Sequence, residues 1–142
     1  MEIEKLIELF EFFEGWEDRY RQIIDLGKNL EPLDDAFKIP EFKVHGCTSQ
    51  VWLTHELVSE GDQKLIRFRA DSDAHIVRGL VAILLMIFSN KTPAEVIALD
   101  PAPYFSRLGL DKHLSPLRSN GLHSMVKRVK ALAEISANAE GK

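Results

Sequence analysis

The chemistry open to this sequence gathers around its single cysteine, Cys47, in the run His45-Gly46-Cys47-Thr48-Ser49-Gln50. A thiolate is a strong nucleophile and a thiol a weak one, so reactivity requires local donors or positive charge. Thr48 and Ser49 supply backbone amides and hydroxyls, and Gly46 opens backbone angles that other residues avoid. These features suit a cysteine presented on a loop. The competing reading is a structural loop cysteine in a non-catalytic interaction module. A Cys-His nucleophile pair with His45 or His113 would make the chain a cysteine-dependent hydrolase or acyltransferase, but the local signatures of cysteine proteases are missing.

Other chemistries find fewer residues. Five scattered histidines and one cysteine give no metal-ligand spacing, and a three-cysteine iron–sulfur scaffold lacks its ligands. Neither G-x-G-x-x-G nor a P-loop occurs. Arg118, in Leu114-Ser115-Pro116-Leu117-Arg118-Ser119, is placed to pair with a carboxylate, cap a loop or stabilise a thiolate.

The elements that must position Cys47 follow from periodicity. Ile3, Leu6, Ile7 and Phe10 predict an amphipathic helix, interrupted at Gly15. A second begins at Trp16, with Trp16, Tyr20, Ile23, Ile24 and Leu26 facing inward and Gly27 or Asn29 ending it in a left-handed conformation. Pro32 and Pro40 punctuate an irregular stretch, and residues 42–44 read as extended. Residues 50–58 and 65–70 read as two strands of an antiparallel hairpin across the turn Ser59-Glu60-Gly61-Asp62-Gln63. Asp71, Ser72 and Asp73 offer N-caps to a buried helix running from about Ala74 to Ser89. Thr92-Pro93 starts a short helix ending at Ala98, Tyr104–Leu108 forms one or two more turns, and 109–118 is a loop. A final helix spans about Ser119–Asn138, burying Leu122, Met125, Val126, Val129, Leu132 and Ala133, with fraying in the last residues. Segregated strands and helices predict an α+β domain over residues 1–142.

Composition narrows the setting. A net charge of −4 argues against nucleic acid. The longest apolar run, Leu80–Phe88, is short of the ~20 residues a membrane span needs. A lone cysteine and an acidic N-terminus unlike a signal peptide lead us to expect a cytoplasmic protein. The N-terminal end is acidic and the C-terminal end, with Arg118, Lys127, Arg128 and Lys130, is basic. Solvated helix faces explain this, or one face docks a charged partner.

Four ordered segments are similar to one family. Gly46-Cys47-Thr48-Ser49-Gln50-Val51-Trp52 resembles the GCxSQVW signature of the SufE and CsdE sulfur acceptors. WEDRYRQIIDL from Trp16, DSDAHIVRGL from Asp71 and HLSPLRSNGL from His113 resemble further segments of that family. The resemblance implies a small antiparallel sheet packed by helices, as in IscU-like scaffolds. It implies that Cys47 accepts persulfide sulfur from a cysteine desulfurase of SufS or CsdA type and stimulates it, supplying iron–sulfur cluster assembly through a downstream scaffold. Pyridoxal phosphate would belong to the desulfurase, leaving this chain an accessory protein without a cofactor. Asp73 and Arg118 fall on family positions and become candidate neighbours of the cysteine loop, with His45, Gly46, Ser49 and Gln50 around the thiol. Thr48 departs from the family's common glutamine.

Overall fold

Residues 2–140 are described by a computed structural model. The first apolar stripe forms α1 (Ile3–Phe12), which buries Leu6, Ile7 and Phe10. Then α2 (Trp16–Lys28) follows Gly15. Two 3₁₀ turns, Asp35–Phe37 and Pro40–Phe42, lead to an antiparallel pair, β1 (Val51–Glu60) and β2 (Gln63–Ser72). The remaining helices are α3 (His75–Phe88), α4 (Pro93–Ala98), α5 (Ala102–Leu108), α6 (Leu110–His113) and α7 (Pro116–Glu140). The chain is thus α+β, with one two-stranded sheet among the described residues. Of the residues expected to form the domain, 1, 141 and 142 lie outside the described ones, and part of the predicted terminal fraying falls there.

The apolar positions of α3 lie at the centre. Leu80, Val81, Ile83, Leu84, Ile87 and Phe88 are buried, packed against α1, α2, β2 and α7. The six residues expected to line the inner face of α7 are all buried. Lys130 of the same helix is turned inward, where its Nζ donates to Ile97 O at 2.8 Å and Leu99 O at 2.6 Å. Those carbonyls lie at the end of α4, which starts at Thr92-Pro93 as expected, with Glu95 completing a capping box.

Four expectations about local structure are corrected. The turn expected over 59–63 is only Gly61-Asp62, because Ser59, Glu60, Gln63 and Lys64 continue the ladder. Polar residues cost nothing on a ribbon tip open on both faces, so composition disguised the pairing. Asp71 and Ser72 finish β2, and α3 starts after Ala74 without a side-chain cap. Asp71 is buried instead. Its carboxylate meets Lys38 Nζ at 3.4 Å and Arg78 Nε at 3.3 Å, and accepts from the amides of Leu33 and Ser72. Neither Gly27 nor Asn29 is left-handed. Gly27 lies inside α2, where an added Cβ would be 2.7 Å from Gly79 N and 2.8 Å from His75 O. Finally, residues 109–118 are largely helical. Gly109, at φ 82°, ends α5, α6 follows, and Ser115 Oγ accepts from Arg118 N to start α7 with Pro116 in its first turn.

Candidate functional site

The cysteine loop hangs between two fixed ends. Val44 N donates to Val51 O at 2.8 Å and Lys43 pairs with Trp52, so 43–44 run extended beside the start of β1. At the other end Asp73 Oδ1 accepts from Gln50 N at 3.0 Å, its Oδ2 lies 3.5 Å from Gln50 Nε2, and Asp73 N donates to Gln50 O. Asp73 therefore anchors the loop's exit. Between these ends Gly46 adopts φ 94°, a region that strains any residue with a Cβ. A Cβ there would also run into Ser124 Oγ on α7.

Cys47 is tucked against the same helix. Its Sγ lies 3.5 Å from Gly121 O, and the side chain is half-buried against the edge of the core. A Cβ on Gly121 would stand 3.6 Å from Sγ, at ordinary van der Waals distance, so the thiol lies directly against this turn of α7. Burial pushes the Cys47 thiol above its ordinary pKa, because a thiolate loses hydration there. The thiol is thus held mostly protonated at neutral pH, a sheltered and weakly nucleophilic resting state.

The other candidates divide. Asp73 and Gln50 join the site through their mutual bonds. Gly46 shapes the loop, and Ser49 is half-buried within it. His45 is exposed and makes no hydrogen bond to Cys47, and His113 stacks on Trp16 at 4.6 Å between ring centroids. Neither histidine is therefore coupled to the thiol in the way a Cys-His hydrolase requires. Arg118 stands exposed one turn before Gly121 on α7, without an ion pair among the described residues. No cluster of three metal-ligating side chains occurs among the described residues, and no helix there is long and apolar enough to cross a membrane.

A feature the sequence left dispersed adjoins the loop. Lys43 and His45 from one side and Ser124, Lys127 and Arg128 from α7 line an open groove of about 480 Å³, with Glu41 at its edge. The helical spacing of Ser124, Lys127 and Arg128 places them on one face, but only the pairing of 43–44 with β1 brings Lys43 opposite them.

Comparison with known proteins is consistent along the whole fold. The model of the family described as SufE, an Fe-S metabolism associated domain, matches residues 4–133. An uncharacterized SufE-like protein of Rhizobium meliloti is 47% identical over 132 residues, covering 93% of this chain and 94% of that one. One from Rhizobium etli is 48% identical over 137 residues, covering 96% and 93%. The solution structure of a hypothetical protein from Thermus thermophilus shares the fold with a TM-score of 0.73 at 20% identity, covering 96% of each chain.

Proposed function

The chain belongs to the SufE family of Fe-S metabolism, and from that premise we propose that Cys47 accepts sulfur from a cysteine desulfurase and passes it toward iron–sulfur cluster assembly. The reaction is an exchange at sulfur. The Cys47 thiolate attacks the outer, sulfane sulfur of the desulfurase persulfide. A new S–S bond forms on Cys47, the old one breaks, and the desulfurase cysteine leaves as its thiolate. The proton released by the Cys47 thiol balances the charge, and no external oxidant or reductant is needed. Pyridoxal phosphate belongs to the desulfurase in this scheme, and this chain acts as its sulfur-accepting activator in the cytoplasm.

The observation that carries the reading is the tucked Cys47, half-buried against Gly121 on a loop with Gly46 at φ 94°. That position shields a persulfide from solvent but depresses the thiolate fraction, so docking must turn the loop outward before attack. Few bonds resist this: the thiol's contact to Gly121 O is a long sulfur bond.

Intact mass after incubation with a desulfurase and free cysteine tests the proposal. The expected result is a gain of one sulfur atom on Cys47, reversed by dithiothreitol, and no gain in a folded Cys47→Ser variant that still binds the desulfurase. Normal stimulation of the desulfurase by Cys47→Ser would overturn the mechanism. Amide exchange over residues 45–50 should accelerate when the desulfurase binds.

A further inference from the structure

We propose that the groove beside the cysteine loop docks a carboxylate-bearing segment of the desulfurase. This inference rests on the acceptor reading above and adds where the partner is held. The chain is acidic overall, at −4, yet Lys43, His45, Lys127 and Arg128 converge on the groove with Glu41 as its acidic member.

Six cations elsewhere are paired with carboxylates among the described residues. Arg107 meets Glu4 and Glu11, Arg69 meets Glu31, and Lys38 and Arg78 share Asp71. Lys43, Lys127 and Arg128 have no ion pair among the described residues. Arg128 adds a stronger sign, because its Nε is buried without a hydrogen-bond partner. A buried, unpaired donor is costly, and an incoming acceptor removes that cost. A guanidinium and two ammonium groups around an open groove select carboxylates.

The groove's place identifies the occupant. Gly46 rests on Ser124, which lines the groove, so whatever fills it lies against the loop that carries Cys47. A partner that delivers sulfur to Cys47 must cover this same surface. A phosphate backbone fits less well, since the lining has no Phe, Tyr or Trp for bases to stack on and Glu41 would repel it.

The test uses the full chain and the desulfurase that loads Cys47, with affinity measured from 50 mM to 500 mM salt. In the Lys43→Glu/Lys127→Glu variant, the desulfurase concentration for half-maximal persulfide formation should rise about tenfold at low salt, with a smaller effect on the maximal rate. Arg128→Gln should move it in the same direction, and the wild-type affinity should fall as salt rises. Lys64→Glu, at the exposed hairpin end, should change nothing. Unchanged affinity in the folded double variant, an equal loss in Lys64→Glu, or a salt-independent wild type would each overturn the groove while leaving sulfur acceptance standing. If the double variant does not fold, Arg128→Gln and the wild-type salt series decide. Wild-type binding without sulfur uptake overturns the acceptor reading instead, and the affinity series then judges the groove alone. Failure of the wild type to bind overturns both.

Discussion

The α2–α3 crossing and the Cys47 loop are both built around glycines, and they are held in opposite ways. At the crossing, Gly27 and Gly79 let two backbones meet. A Cβ on Gly79 would overlap the Ile23 backbone, and one on Gly27 would press on Gly79 N. In the loop, Gly46 is needed for its left-handed φ of 94°, and Cys47 is retained by a long sulfur contact to Gly121 O and partial burial. One glycine pair closes a space, and the other glycine frees a conformation. The comparison teaches that the domain spends its dense packing on a platform and keeps its chemistry on a segment that can leave it. Regions with few buried contacts open at a lower free energy than the core.

The sharpest way to break this contrast is Gly79→Ala. The added methyl forces α2 away from α3, and urea unfolding should show a loss of about 3 kcal/mol or failure to fold. A near-neutral result would mean the crossing is loose. Gly46→Ala should cost about 1–2 kcal/mol of strain at the loop. That cost should appear as faster amide exchange at 45–50 with a much smaller change in global unfolding. An effect equal to that of Gly79→Ala would mean that the loop is part of the platform. The smallest effect concerns the thiol itself. Because burial raises the Cys47 pKa, the half-point of its alkylation rate against pH should lie above that of the urea-unfolded chain. The sign for stability follows. The native state holds the proton more tightly, so this contribution is present below the unfolded thiol pKa and fades as pH rises through the folded one. Coincident half-points would mean the thiol is already free of α7.

Much of this contrast was legible in the sequence, because its signals are local. The hairpin, the buried α3 and the capped α4 rest on alternation, an all-round apolar run and a Thr-Pro start. Cys47 stood out through its neighbours Gly46 and Ser49-Gln50. What escaped depended on distant partners. Asp71 reads as a helix cap until Lys38 and Arg78 are brought to it. Gly27 reads as a helix end until Gly79 is placed across from it. Lys43 and Arg128 share a groove only after 43–44 pair with β1. Ser115-Pro116 is the exception: it repeats the Thr92-Pro93 signal and could have placed the start of α7 correctly.

The hairpin carries a practical consequence. Its strands run ten residues each from the cysteine loop to the Gly61-Asp62 turn, a reach of about 30 Å at the usual rise per residue. A Cβ on Gly61 would meet nothing within 4 Å, though its φ of 61° still favours glycine. A fluorophore or affinity tag attached at the neighbouring Asp62 would therefore report on binding without touching the thiol, the groove or the core.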